Sequence, residues 1–144
     1  MIYLDSSSLL KLLWNEPDSA LTIDALAVES VVIISVLAEI EVAVQLKAAY
    51  LGGDYTLSQL RRFEAQLAVF RNQPPYEFRT LSGVVFQTAL RQHRNSGDLH
   101  CRSLDRLHLA AMEELRVPRL MTHDEGQAKA AIEAGFEVVR PGRD

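Results

Sequence analysis

Several acidic residues follow short apolar segments or begin helical stretches, positions from which folding can bring their carboxylates together. They are Asp5 after the first apolar run, Glu39 and Glu41 after the second, Asp105 at the start of a helical stretch, and Asp124 near the chain's end. Carboxylates brought together repel one another unless a cation lies among them. Oxygen ligands alone favour magnesium or manganese, and the cysteine and histidine spacing does not suit structural zinc. The acidic set therefore predicts a site for a hard divalent ion.

Taken singly, each acid also has a structural explanation as a helix cap or as a partner of the helix dipole. The choice between Glu39 and Glu41 stays open, because the helix that carries them is apolar on nearly every side. Both residues have apolar neighbours at helical spacing, so periodicity does not decide which one faces inward. A helix that is apolar all round must be covered twice, which also predicts a homodimer interface on its second face.

Short apolar runs alternate with helical stretches along the chain. The predicted strands are Ile2–Leu4, Val31–Ile34, Glu77–Thr80, Arg119–Thr122 and Phe136–Val139, and the longer predicted helices are 36–50, 57–71, 81–94 and 104–115. A capping box at Thr122 and Glu125 predicts one more helix, which ends at Gly135. This alternation indicates a parallel sheet with helices on both faces, and 144 residues suit a single domain, 1–144. Ligands of such sheets bind beyond the carboxyl ends of the strands, where the acids are expected to meet.

The composition favours a packed protein, with 48% apolar and 24% charged residues. No apolar run has the length of a membrane helix, and the first residues lack the pattern of a signal peptide, so we expect a cytoplasmic protein and no membrane partner. Residues 59–119 carry ten arginines against six acids, whereas residues 1–58 carry two basic and eight acidic residues. The arginines suit either solvated helix faces or contacts with phosphates.

Three motifs in this order resemble the PIN domain ribonucleases, and within them the VapC-type toxins. They are the segment 2–11 (IYLDSSSLLK), the segment 104–111 (LDRLHLAA) and Thr122-His123-Asp124 before a helix. Ser35 followed six residues later by Glu41 has the spacing that the family uses, so the resemblance favours Glu41 over Glu39. Arg106 departs from the family, which commonly has a small residue there, and residues 50–98 match only in general helical character.

The resemblance implies a PIN-like three-layer α/β/α sandwich with about five parallel strands, and metal-dependent hydrolysis of RNA phosphodiester bonds. It assigns the Mg²⁺ or Mn²⁺ ligands and catalytic acids to Asp5, Glu41, Asp105 and Asp124, supported by the hydroxyls of Ser7 and Thr122. One or two such ions remove the need for a nucleophilic side chain. The implied partners are an RNA substrate and a cognate antitoxin that lays a peptide over the crevice.

Two other classes of function remain open at this point. One is a noncatalytic RNA-binding or protein-interaction domain that keeps its acids for capping and solubility. The other is a phosphohydrolase with Asp5 as covalent nucleophile, which is disfavoured because Ser7 stands where that mechanism usually needs a second aspartate. His108, on the apolar stripe of its helix, is expected in the core, whereas His123 is a candidate for contacting substrate.

Overall fold

The structure, a computed structural model, describes residues 1–143, which form a five-stranded sheet and seven helices. The strands are β1 (Ile2–Leu4), β2 (Val32–Ser35), β3 (Tyr76–Arg79), β4 (Arg119–Met121) and β5 (Glu137–Val139). The helices are α1 (Ser6–Leu13), α2 (Ser19–Ala27), α3 (Val36–Leu51), α4 (Leu57–Arg71), α5 (Val84–Asn95), α6 (Ser103–Leu115) and α7 (Glu125–Glu133). The sheet order is β3-β2-β1-β4-β5, and every neighbouring pair is parallel. The predicted α/β/α fold with a parallel sheet is confirmed.

The central strand β1 is covered by helices on both faces. Successive side chains of a strand point to opposite sides, so its residues pack into two different cores. Ile2 and Leu4 pack into a core formed with α1, α2, α3 and α4. Tyr3 packs on the opposite face, into a second core formed with α5, α6 and α7. In the described part of the chain, no helix combines the length and apolar character needed to span a bilayer.

The register of the three central strands brings their carboxyl ends together. Tyr3 of β1 is aligned with Ile33 of β2 on one side and with Leu120 of β4 on the other. Since all three strands run in the same direction, the turns that leave them lie at one edge of the sheet. The turns into α1, α3 and α7 therefore meet where the sequence predicted a site.

The start of α7 differs from the predicted capping box. The N-cap is Asp124, whose Oδ1 accepts a hydrogen bond from the backbone N–H of Gln127 at 2.8 Å. Thr122 lies two residues before this N-cap, and its hydroxyl donates to Asp5 and accepts the backbone N–H of Asp124. The predicted end of the helix is confirmed, since Gly135 follows it with a φ of 88°. That left-handed conformation favours glycine.

Candidate active site

One crevice at the carboxyl ends of β1, β2 and β4 collects the predicted acids. It has a volume of about 350 Å³ and is lined by Asp5, Glu41, Asp105 and Asp124, together with Ser7. Its other lining residues are Ser6, Gln45, Arg102, Ser103, Leu104 and His108. The fold thus brings four carboxylates from four distant segments of the chain to one cavity.

Asp5 is the N-cap of α1 and is held by three donors. Its Oδ1 accepts the backbone N–H of Ser8 at 3.0 Å and the hydroxyl of Ser7 at 2.7 Å. Its Oδ2 accepts the hydroxyl of Thr122. Burial raises the pKa of Asp5 above its ordinary value, and these hydrogen bonds oppose the rise. No cationic side chain of residues 1–143 forms an ion pair with this carboxylate.

The hydroxyls of Ser7 and Thr122 join the turn after β1 to the turn after β4. Ser7 Oγ accepts the backbone N–H of His123 at 2.9 Å, and Thr122 Oγ1 accepts the backbone N–H of Asp124 at 3.0 Å. Both hydroxyls donate to Asp5. The two residues therefore fix the position of Asp5 relative to Asp124.

The structure separates the two glutamates that periodicity left undecided. Glu41 lines the crevice, and its Oε1 contacts His108 Nε2. Glu39 does not line the crevice; it pairs instead with Arg71 on α4. Glu41 is accordingly the α3 carboxylate that shares a cavity with the other three acids.

His108 lies in the core, as predicted, but it also touches the crevice. Its side chain is 1% exposed, its Nδ1 lies 2.7 Å from the hydroxyl of Tyr3, and that hydroxyl lies 2.5 Å from Ser35 Oγ. Burial raises the pKa of Tyr3 well above its ordinary range, so the hydroxyl stays protonated. One arrangement satisfies every member: Ser35 donates to Tyr3, Tyr3 donates to His108 Nδ1, and His108 Nε2–H donates to Glu41. We name this buried series, from Ser35 to Glu41, the Tyr3–His108 chain.

Sequence reasoning missed this second role of His108, although a signal was present. Asp105 and His108 are separated by three residues, and on a helix that spacing places two side chains on one face. The polar partners gave a weaker signal: Tyr3 is the one polar side chain within a predicted buried strand, and Ser35 directly follows another.

His123 does not line the crevice. Its Nδ1 lies 2.9 Å from Ser8 Oγ and its Nε2 lies 3.2 Å from Thr22 Oγ1, so both ring nitrogens are engaged by α1 and α2. Burial lowers the pKa of His123. The structure therefore gives this histidine a packing role beside the site rather than a place in it.

Arg102 spans the two remaining acids. Its Nε donates to Asp105 Oδ2 at 2.7 Å, and its Nη2 donates to Asp124 Oδ2 at 2.9 Å. These hydrogen bonds, the one to Asp105 foremost, raise the pKa of Arg102. The sequence did not single out Arg102, since its two partners lie on different helices and meet only in the folded chain.

The residues of the crevice fit a hard divalent cation in their chemistry. The four acids and the hydroxyl of Ser7, which line the crevice, offer oxygen, which Mg²⁺ and Mn²⁺ prefer. Asp5 is a buried carboxylate with a raised pKa, and a cation beside it would favour its charged form. Within residues 1–143, however, no three histidine, cysteine, aspartate or glutamate side chains are grouped closely enough to hold a metal ion. Three of the four acids are paired instead with Arg102 or His108.

Comparisons with known proteins agree with this fold. The PIN domain family model matches residues 2–133. The fold is similar to that of VapC20 from Mycobacterium tuberculosis, a toxin that cleaves the sarcin-ricin loop, with a TM-score of 0.72 and 16% identity over 98% of this chain and 100% of that one. It is also similar to VapBC2 from Rickettsia felis bound to a DNA fragment from its promoter, with a TM-score of 0.68 and 14% identity over 97% and 98% of the two chains. FitAcB from Neisseria gonorrhoeae gives 0.66 and 16% identity over 96% of both chains. A search of curated proteins found no match.

Proposed function

The chain belongs to the PIN domain family, and from this membership and the acidic crevice we propose that it is a metal-dependent endoribonuclease, the toxin of a type II toxin–antitoxin pair. PIN nucleases generally use divalent metals. The observation that carries the proposal is the meeting of Asp5, Glu41, Asp105 and Asp124 in one crevice. The similarity to VapC20 supports RNA as the substrate class.

We assign the four acids as the groups that hold Mg²⁺ or Mn²⁺ and position a water molecule. When bound, the cation polarises a phosphodiester and lowers the pKa of that water, so no nucleophilic side chain is needed. Ser7 and Thr122 hold Asp5 in place through its two carboxylate oxygens. The Tyr3–His108 chain restrains Glu41 in the same way. Such supporting contacts orient ligands and commonly change metal affinity when they are removed.

The test is cleavage of structured RNA by the purified protein with Mg²⁺ or Mn²⁺. Asp5→Asn, Glu41→Gln and Asp105→Asn are each expected to lower the cleavage rate by about 100-fold or more, since loss of a supporting contact alone costs on the order of 10- to 100-fold. Glu39→Gln is the matched control, because it makes the same chemical change on α3 outside the crevice. Its rate should stay within about twofold of wild type, as expected for an exposed ion pair.

Cleavage that needs no divalent ion, or that survives Asp5→Asn and Asp105→Asn, would contradict the nuclease assignment. The alternative function, a noncatalytic RNA-binding or protein-interaction domain, predicts RNA binding without cleavage and no dependence on Mg²⁺. Mapping the cleavage products of total RNA would identify the substrate, which depends on the shape of the RNA and on the placement of arginines and aromatic residues.

A cognate antitoxin is the proposed protein partner, as the similarity to VapC toxins implies. We propose that it lays a peptide across the crevice and places a basic side chain among the acids, where charge-assisted hydrogen bonds are strong. A matching antitoxin should inhibit cleavage at an equimolar ratio. Unchanged cleavage in the presence of a saturating, bound antitoxin would show that it does not cover the crevice.

We also propose a homodimer formed through α3. Val36, Ile40 and Val44 stand at helical spacing on the side of α3 away from its buried residues, and they are 43%, 59% and 62% exposed. Covering this apolar stripe would remove it from water. Sedimentation velocity should show a dimer for wild type and a monomer for Val44→Asp. Val69→Asp, a similarly exposed position on α4, is the matched control and should remain dimeric. A wild-type monomer at all concentrations would exclude the dimer.

A further inference from the structure

Arg102 lies on the solvent side of the crevice and holds two of its acids at once. Its side chain is 64% exposed, whereas those of Asp105 and Asp124 are 14% and 34% exposed. The guanidinium contacts the Oδ2 atom of each carboxylate, one on α6 and one at the N-cap of α7. A single cation therefore joins the first turns of two helices.

Helix formation does not explain an arginine at this position. Arg102 is the N-cap of α6, yet its side chain makes no capping hydrogen bond, and serine, threonine, aspartate or asparagine are the residues that favour an N-cap. A cation near the N-terminus of a helix is also disfavoured by the helix dipole. Exposed ion pairs add little to folding stability. The electrostatics of the crevice, rather than the local fold, accounts for Arg102.

Resting on the proposed nuclease function, we infer that Arg102 is an exchangeable cation that becomes a substrate contact. In the metal-free protein it neutralises Asp105 and Asp124. A divalent ion that binds these two carboxylates displaces it, and the released guanidinium binds a phosphate of the RNA backbone.

The competition follows from the atoms involved. Asp124 Oδ1 accepts a backbone N–H of α7, whereas Oδ2 has no backbone partner; Oδ2, which Arg102 contacts, is therefore the oxygen that is freer to bind a metal. A metal ion bound to Oδ2 and the guanidinium would both be positively charged and would compete for the same oxygen. Removing Arg102 should therefore strengthen metal binding.

The second role follows from the place of Arg102 in the chain. Its backbone is fixed immediately before α6, three residues from Asp105, so rotation of the side chain moves the guanidinium without carrying it away from the crevice mouth. The planar fork of arginine binds two phosphate oxygens at once, which the ammonium of lysine does not do. A displaced Arg102 is thus placed beside any phosphodiester that enters the crevice.

The test measures metal binding and RNA cleavage separately in Arg102→Gln. Arg91→Gln is the matched control, since it removes the same charge from an exposed pair with Glu113 outside the crevice. We expect the dissociation constant for Mn²⁺, measured by electron paramagnetic resonance, to fall by about 3- to 10-fold in Arg102→Gln. This is the size expected when the metal no longer has to break two exposed ion pairs. It should stay within about twofold in Arg91→Gln.

RNA recognition is expected to change in the opposite direction. The KM for the shortest RNA fragment that wild type cleaves should rise by about 10-fold in Arg102→Gln, as for loss of one charge-assisted contact. Arg102→Lys should restore only part of it, because lysine lacks the fork. Tighter Mn²⁺ binding together with weaker RNA binding is a combination that a merely structural residue would not produce.

The outcomes distinguish this inference from the proposed function. Unchanged or weaker Mn²⁺ binding in Arg102→Gln, or an unchanged KM, overturns the role of Arg102 while wild-type cleavage stays metal-dependent. Failure of the nuclease proposal shows instead as a wild type that binds Mn²⁺ but cleaves no RNA. The metal titration uses no RNA and decides the exchange in that case too.

Discussion

Tyr3→Phe tests whether the Tyr3–His108 chain contributes to both stability and the site. The substitution removes one hydroxyl and keeps the ring that packs between β1 and α6. That hydroxyl is fully buried and lies 2.5 Å from Ser35 Oγ and 2.7 Å from His108 Nδ1. In the described structure, neither of these atoms has another hydrogen-bond partner. The variant therefore leaves two buried polar atoms unpaired.

The structure gives the expected magnitude of the loss. Each buried polar group left without a partner costs about 1 to 3 kcal/mol, and removal of the buried hydroxyl itself returns part of that. We expect Tyr3→Phe to lower the free energy of unfolding by about 2 kcal/mol. Ser35→Ala removes one member together with its bond, and Tyr3 still donates to His108, so it should cost about 1 kcal/mol. The double variant should cost about 1 kcal/mol less than the sum of the two.

Urea unfolding measures these free energies for the metal-free wild type, the two single variants and the double variant, compared at equal m-values. The cleavage rate of Tyr3→Phe should also fall by about 10-fold, because His108 loses the contact that orients it toward Glu41. Ser35→Ala should affect the rate less, since it leaves the Tyr3 to His108 bond intact. The Tyr3–His108 chain would be refuted if Tyr3→Phe had a free energy of unfolding within about 0.5 kcal/mol of wild type. It would also be refuted if the stability losses of Tyr3→Phe and Ser35→Ala were additive in the double variant.

Three further predictions concern single residues near the site. Arg106 is 6% exposed, and its Nε has no hydrogen-bond partner in the described structure. Arg106→Met should therefore keep the free energy of unfolding or raise it by up to about 1 kcal/mol, measured by urea titration. A clear loss of stability would contradict this prediction. His123 has a lowered pKa in the folded state, so the unfolded chain takes up its proton first and stability should fall as pH drops below the ordinary value of 6.5. His123→Asn should flatten that fall, measured as unfolding midpoint against pH, and an unchanged profile would exclude it. Asp124→Asn should keep the cap of α7, since asparagine caps a helix as well as aspartate does, but it should lower the cleavage rate. The expected result is a circular dichroism spectrum and melting temperature equal to those of wild type, together with lost activity.

The edge of the sheet where the acids meet could be predicted because it depends on local signals. Short apolar runs separated by helical stretches specify a parallel sheet, and residues directly after a strand, such as Asp5, must then lie at its carboxyl edge. Glu41 could not be chosen by the same means. The helix α3 is apolar on most of its surface, so no periodicity distinguishes Glu41 from Glu39, and only the spacing from Ser35 in the resemblance favoured it.

Contacts between distant segments could not be predicted from local patterns. The roles of Arg102 and His108 depend on partners 22 and 67 residues away along the chain. The predicted capping box at Thr122 failed for a related reason. Its hydroxyl is held by donation to Asp5, which lies 117 residues earlier, while Asp124 makes the capping hydrogen bond of α7.

Helix capping and metal binding looked like competing explanations of the acids, but Asp5 and Asp124 combine the two geometries. In each residue Oδ1 accepts a backbone N–H from the first turn of a helix, and Oδ2 takes a side-chain donor on its other side. The cap restrains the carboxylate through covalently fixed backbone and so limits its rotation, which is the condition for holding a ligand in a defined position. A strand-to-helix turn that ends in a capping aspartate therefore supplies an oriented oxygen as a by-product of starting a helix. This is why two of the acids could each be explained as a cap without weakening the case for a shared cation.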